Sequence, residues 1–448
     1  MDPTAFLIRS LLFPAWVRKN GSRRLVYARE LAKTERLSSD ALRELQWAQL
    51  KAILQHAFDQ CAFYRKKWTE AGVSPGDVES LDDINRIPTL TKAEIQESLS
   101  ELVADNYRPR PLIRDMTGGS TGSPMVFYYD EDRRDSREAA VIRHDRWTGW
   151  DIGEKRALLW GAPRDVAGGS RAGRFRNRVL GRDMALDASA LDEPRMRRFC
   201  ERLQRYQPAF VVAYANTLTL FARFVKDAGL EPMRPRAIIC SGEVLTGEGR
   251  ALIESTFGCA VFDRYGCREF AVIASECDRH QGLHVNAENL LLEVLQDPAA
   301  APDSGGEIVI TDLKNYAMPL IRYRSRDVGY LKPSRCDCGR GLPILELRGG
   351  RTTDFLTALN GQKVSGIVLA TYGITNIDGL RQVQFIQERR DAVRARIVRG
   401  PGWSQEALDT LIAKVRAFLG DAMAVEVEFT DAIGLESSGK YRFTISRL

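Results

Sequence analysis

At 448 residues the chain is too long for one simple core, and 44% hydrophobic with 28% charged residues is the balance of an ordinary globular protein, so a large domain with at least one smaller one is expected. A formal net charge of +6 suits an anionic ligand such as a nucleotide but is too weak and too dispersed to argue for nucleic acid, which is excluded as a partner. Eight cysteines with no signal peptide in front of them point to a reducing, cytoplasmic compartment.

In chain order, the apolar run from Ala5 to Val17 is broken by Arg9 and Pro14 and falls short of the roughly 20 residues of a membrane helix, so no integral membrane segment is expected. It reads as an amphipathic helix docked on the body, with peripheral membrane contact as the alternative. Leu42, Leu45, Trp47, Leu50, Ile53, Leu54, Ala57 and Phe58 recur at helical steps, which predicts a helical stretch over Ala41 to Trp68 before a turn at Gly72 to Gly76. Thr91 and Glu94 have the capping-box spacing of a helix start.

The stretch Thr117-Gly118-Gly119-Ser120-Thr121-Gly122-Ser123-Pro124 interleaves glycines with hydroxyl residues. Bare amides and hydroxyls of this kind can cradle phosphate, and a Ser/Gly-rich surface turn is the plain alternative. No lysine follows the last glycine, so it is not a Walker A loop. Beyond it, short apolar runs alternate with longer periodic segments, as in an α/β sheet. Strands are predicted at Met125 to Tyr129, Arg156 to Trp160, Phe210 to Ala213, Ala237 to Cys240, Ala260 to Phe262 and Glu307 to Thr311. The basic stretch Arg171 to Arg182 reads as a solvated loop.

Several strands run into polar residues: Ser241-Gly242-Glu243 after one, Tyr265-Gly266-Cys267-Arg268-Glu269 after another. Ligands of open α/β sheets gather at the carboxyl ends of strands, so these are candidate site walls. Beyond Gly350-Arg351 the character changes to a hairpin signal at Asn360-Gly361, apolar runs at Val383 to Ile386 and Val393 to Val398, a helix from Ser404 to Leu419 and a strand near Val425 to Phe429. That content predicts a separate α+β domain.

Together these pieces resemble the acyl-adenylate-forming superfamily, and within it the phenylacetate–coenzyme A ligase-like branch, over nearly the whole chain. The resemblance implies a large N-terminal adenylation domain (1–349, with a helical leader to about residue 110), a hinge at 350–354 and a mobile α+β domain at 355–448. It assigns nucleotide contacts to Thr117, Gly118, Gly119, Ser120, Thr121, Gly122, Ser241, Gly242, Glu243, Tyr265, Gly266, Asp327 and Arg351. In that assignment Tyr265 lies against adenine, Glu269 holds magnesium, Asp327 takes the ribose hydroxyls, and Thr353 or Asp354 is the pivot. Catalytic roles fall to Lys440, Glu269 and Thr117, with Lys440 in Ser438-Gly439-Lys440 stabilising charge between carboxylate and α-phosphate. Two departures stand out: Met125 replaces a frequent lysine after Pro124, and Ser325-Arg326 stands where Thr-Gly usually precedes the aspartate.

Cys277, His284, Cys336 and Cys338 could complete a tetrahedral structural zinc site, with His280 as competing imidazole and unliganded thiols as the alternative. The resembled branch favours zinc. Trp160, Tyr214, Ala215 and Cys240 are the expected acyl pocket, suited to an aryl or other small apolar acid. The expected reaction is ATP- and magnesium-dependent formation of an acyl adenylate, then transfer to coenzyme A. A carrier protein or an amine is the alternative acceptor, and a non-catalytic nucleotide-binding protein the reading from a different class. Oligomeric state, a homodimer included, is left open.

Overall fold

The structure, a computed structural model, describes residues 2–117, 125–160, 173, 177–188, 190–296, 305–349, 352–353, 355–366, 369, 377–433 and 442–448. Strands β1 (Ile113–Met116) and β2 (Val126–Tyr129) form an antiparallel hairpin. Next come β3 (Arg156–Trp160), β4 (Asp183–Asp187), β5 (Ala190–Leu191), β6 (Phe210–Tyr214), β7 (Ala237–Ser241) and β8 (Ala260–Cys267). They are followed by β9 (Ala271–Glu276), β10 (Leu283–Val285), β11 (Leu290–Leu295), β12 (Gly306–Asp312), β13 (Tyr323–Lys332) and β14 (Ile344–Gly349). Eleven of these make one sheet in the order β11-β12-β13-β14-β10-β9-β8-β7-β6-β3-β4.

The sheet has two halves. From β4 to β8 all pairs are parallel, and from β8 onward they are antiparallel. Parallel strands need cover on both faces, which is why β6 and β7 read as unbroken apolar runs. Helices Glu193–Tyr206, Ala215–Asp227 and Gly247–Phe257 cover one face through Phe199, Leu218, Phe221 and Ile253. The opposite face packs on Ile8, Ala28 and helix Glu131–Trp147 through Phe210, Ile239 and Phe262. Leu50, Ile53, Leu54, Tyr64 and Trp68 of the leader bury the antiparallel half against Leu313, Met318, Leu320 and Ile321. The predicted leader helix is two, Ser39–Gln60 and Ala62–Glu70, because Cys61 leaves helical geometry at φ −116°, ψ 115°. The capping box is present: Glu94 N–H donates to Thr91 Oγ1 (3.3 Å) and Thr91 N–H to Glu94 Oε2 (2.8 Å).

The remaining strands are β15 (Thr352–Thr353), β16 (Phe355–Thr357), β17 (Lys363–Ser365), β18 (Leu380–Arg389), β19 (Ala392–Arg399), β20 (Ala424–Phe429) and β21 (Arg442–Ser446). A second sheet has the order β15-β21-β18-β19-β20. Leu411, Val415 and Leu419 of helix Gln405–Leu419 pack on its Val383, Phe385, Ala395 and Ile397, with Ser404 as N-cap. The hairpin β16–β17 turns at Gly361, φ +84°, where the Asn-Gly signal lies. It also pairs with β5, so a three-stranded sheet joins segments distant in sequence.

Candidate functional site

Trp160, Tyr214, Ser241 and Tyr265 lie at or near the carboxyl ends of adjacent parallel strands β3, β6, β7 and β8. The sheet then curls back over this edge. In a flat sheet with about 4.8 Å between strands, β8 and β13 would stand roughly 19 Å apart. Yet the Tyr265 hydroxyl donates to Asp327 Oδ2 at 2.7 Å. Burial, and after it the Asp327 carboxylate, holds Tyr265 well above the ordinary tyrosine range. This curl brings the expected adenine-side tyrosine and ribose-side aspartate into direct contact.

The turn after β8 completes the arrangement. Gly266 is required there, since a Cβ would lie 2.3 Å from the Ala271 carbonyl oxygen. Glu269 is 9% exposed, receives the Tyr323 hydroxyl at 3.5 Å and stands beside the Cys267 thiol; a buried carboxylate of this kind can bind a hard cation. Arg268 reaches Asp115 of β1 at 3.5 Å, tying this turn to the base of the glycine stretch. At that base Thr117 N–H donates to the Met125 carbonyl at 2.9 Å, and Met125 N–H donates to Thr117 Oγ1 at 2.9 Å. Thr117 therefore clasps the two ends of the loop, with its hydroxyl proton still available to donate. Met125 is fully buried in the main core, which accounts for an apolar residue at that position.

Gly242, at φ +78°, presents bare backbone to the Tyr214 ring, where a Cβ would stand 2.9 Å from the ring carbons. That ring also stacks on Trp160, centroids 4.0 Å apart. Tyr214, Ala215 and Cys240 are buried, whereas Trp160 is partly exposed. Ser241 Oγ donates to the Arg264 carbonyl at 2.9 Å. Glu243 accepts from Asn216 N–H at 2.9 Å, placing its carboxylate at the start of helix Ala215–Asp227. The side chains of Ser241 and Glu243 are thus engaged in holding the wall.

Ser325-Arg326 resolves simply. Arg326 sits at φ +64°, the left-handed region that glycine enters without strain, and its side chain is exposed. Its backbone N–H donates to Glu307 Oε1 at 3.2 Å. Gly118, Gly119, Ser120, Thr121, Gly122, Arg351, Asp354 and Lys440 lie outside the described residues, as does part of the basic stretch 171–182. Within that stretch Arg182 forms an ion pair with Asp2 at 2.5 Å, where a solvated loop is expected.

A separate cluster lies between β9 and β14. The donor atoms of Cys277, His284, Cys336 and Cys338 lie within 4.8 Å of one another. Cys277 Sγ is 3.6 Å from Cys336 Sγ, and Cys338 Sγ is 3.3 Å from His284 Nε2. The edges of a tetrahedron around zinc are about 3.5–3.8 Å for such ligands, so the donor set fits that ion. Burial pushes the Cys277 thiol up to about 12, and burial with the Arg340 charge pushes His284 down to about 4. His280 is elsewhere, its Nδ1 3.1 Å from Glu276. Sequence reading did not find the support behind the cluster: Arg340 lies over the Trp147 ring at 4.5 Å, and Trp147 Nε1 donates to Glu35 at 3.0 Å.

Residues 356–447 match the CapK C-terminal domain family. Over 309 residues, 67% of this chain and 69% of the relative, the sequence is 27% identical to phenylacetate-coenzyme A ligase of Pseudomonas putida. It is 24% identical to protein CapK of Staphylococcus aureus over 426 residues, 90% of this chain and 89% of that one. The fold is shared with a crystal structure of 2-hydroxyisobutyryl-CoA ligase in complex with 2-HIB-AMP and CoA, at TM-score 0.64 and 20% identity, covering 93% of this chain and 92% of that chain. Along most of its length the sequence is similar to phenylacetate–coenzyme A ligase and to protein CapK, and nearly all of it shares the fold of a two-domain acyl-CoA ligase, which supports the resemblance to the phenylacetate–coenzyme A ligase-like branch of the acyl-adenylate-forming superfamily.

Proposed function

We propose that the protein is an ATP-dependent, AMP-forming acid–thiol ligase. The observation that carries this reading is the meeting of Tyr265 with Asp327 at the carboxyl edge of the parallel strands, beside Glu269 and the base of the glycine stretch. A substrate carboxylate oxygen attacks the α-phosphorus of ATP, pyrophosphate leaves, and an acyl adenylate forms. The thiol sulfur then attacks the acyl carbon, AMP departs with the bonding pair, and the thiol proton passes to solvent. Because the protein supplies no covalent intermediate, positioning and charge stabilisation are its contribution.

In this reading Asp327 receives the ribose hydroxyls, Tyr265 lies against adenine, and the backbone of Ser241, Gly242 and Glu243 forms the opposite wall. Gly118 to Gly122 cradle the phosphates, with Thr117 holding the loop closed. Glu269 would hold magnesium, which when bound neutralises charge on the phosphates. Arg351 and Lys440 approach from the hinge and the C-terminal domain, which turns between the two half-reactions. Cys277, His284, Cys336 and Cys338 would hold a structural zinc. The stacked rings of Trp160 and Tyr214 suit an aryl or other flat apolar acid, with coenzyme A as acceptor.

ATP–pyrophosphate exchange across a panel of carboxylic acids tests the first step, and discharge of the adenylate by coenzyme A, an amine or a carrier separates the acceptors. Exchange is expected with an aryl acid, and coenzyme A is expected to discharge the adenylate. Lys440→Ala should abolish exchange while leaving ATP binding largely intact; full exchange in that variant would remove Lys440 from the chemistry.

A further inference from the structure

The chain begins with a continuous helical run, Pro3–Leu7, Ile8–Leu12 and Phe13–Lys19, which spans about 25 Å at 1.5 Å per residue. One side is seated on the body: Ala5, Ile8 and Val17 are buried, and Ile8 joins the core that contains Ala139, Trp150 and Phe210. The run is pinned at two points, Asp2 to Arg182 at 2.5 Å and Arg9 to Asp151 at 3.1 Å, so it is a fixed part of the surface.

Its outward side is also apolar. Phe6 is 58% exposed, Leu7 48%, Leu11 59% and Leu12 38%. Ten large apolar side chains are strongly exposed among the described residues, and four of them are these. A helix apolar on both sides is normally covered on both. At the far end of the same outward side Arg18 and Lys19 are exposed. Residues 1–36 hold eight Lys/Arg against three Asp/Glu, a net charge of +5; Arg9, Arg23 and Arg24 of these are paired with carboxylates of the body, while Arg18 and Lys19 face outward.

An outward apolar ridge that ends in cations matches a surface that is both fluid and negative, because acyl chains close around a convex ridge and headgroups meet the cations. The location agrees. The run packs near the amino ends of β6 and β7, at Phe210 and Ala237, whereas the candidate site is at their carboxyl ends. We propose that this helix seats the protein on an anionic lipid surface, with Phe6, Leu7, Leu11 and Leu12 at the acyl boundary and Arg18 and Lys19 among the headgroups.

Co-sedimentation of the full chain with vesicles of phosphatidylcholine alone, or of phosphatidylcholine with phosphatidylglycerol, tests this. The protein is expected to pellet with the anionic vesicles and at least about tenfold more weakly with neutral ones. Two variants separate the contributions: Phe6→Ser with Leu7→Ser and Leu11→Ser, and Arg18→Gln with Lys19→Gln. Each should lower affinity for anionic vesicles by about tenfold or more with an unchanged thermal midpoint. Wild-type protein that stays in the supernatant would overturn the proposal, as would a triple variant that pellets like wild type. Self-association in light scattering that the triple variant abolishes, without vesicle binding, would assign the ridge to a second copy instead.

Discussion

Asp263 sits on β8 opposite Cys240 of β7, two residues before Tyr265. Burial, and after it the charge of Glu276, raises its carboxyl to about 7. Both carboxylate oxygens of Glu276 in turn accept from Arg250 Nη2 at 2.9 Å, and Oε2 also accepts the Asp263 N–H at 2.7 Å. An unfolded aspartate titrates near about 3.9, so between these values the folded protein keeps a proton that the unfolded chain has lost. Stability therefore falls as pH rises from about 4 to about 7 and stays lowered above that. Asp263→Asn retains the shape of the neutral form without the titration. Its thermal midpoint should exceed that of wild type by an amount that grows between pH 5 and pH 8, on the order of 2 °C or more at the upper end. A constant difference across that range would show that Asp263 does not titrate as its surroundings demand. At this scale the sequence is informative about residue type and silent about partners. Arg326 is legible as a departure, but that its position requires positive φ is a property of the backbone alone.

Elements whose signal is local are the ones the sequence reveals. Arg156–Trp160, the Asn360-Gly361 hairpin and the helix capped by Ser404 depend on neighbours within a few residues, and they stand where expected. Strands β9, β10 and β14 are short or irregular in pattern and are defined by partners far along the chain, so they were not legible. The same distinction governs the cysteine cluster. Spacing cannot choose between His280 and His284, but His284 lies in β10, paired with Ile344 of β14 and so held beside Cys336 and Cys338. His280 lies in the preceding turn, against the Phe262 ring at 4.7 Å. If zinc closes this cluster it ties β9 to the segment before β14, and metal analysis of purified protein should find about one zinc per chain. Cys336→Ser with Cys338→Ser should lose that metal and several degrees of thermal midpoint, because buried ligands would remain without a cation. Wild-type protein free of zinc, or a variant with undiminished zinc, would refute the assignment.

At the scale of the molecule, the three-stranded sheet is where a turning C-terminal domain would have to be released. β17 pairs with β5 through Lys363↔Leu191 and Val364↔Ala190, and Gln362 Nε2 donates to Asp192 Oδ2 at 2.6 Å. The hairpin that carries β17 is tied to the second sheet, because Gln387 of β18 accepts from Thr357 N–H at 2.7 Å and donates to its carbonyl at 2.8 Å. The expected hinge at 350–354 is already partly strand, since Thr352 and Thr353 pair with Arg442 and Thr444 of β21. Rotation of the second sheet against the first must then break the β5–β17 ladder, a long-range pairing of two-residue and three-residue strands that no sequence pattern announces. Asp192→Cys with Gln362→Cys would replace the hydrogen bond by a disulfide that holds this arrangement. In the oxidised variant one half-reaction, pyrophosphate exchange or discharge of a supplied acyl adenylate to coenzyme A, should proceed near the wild-type rate while the other falls at least about tenfold. Reduction should restore both, which separates the cross-link from the loss of the Asp192 helix cap, worth roughly 1 kcal/mol. Both half-reactions running unimpeded through the oxidised protein would mean that β5 and β17 stay paired throughout turnover, and that the moving boundary lies elsewhere.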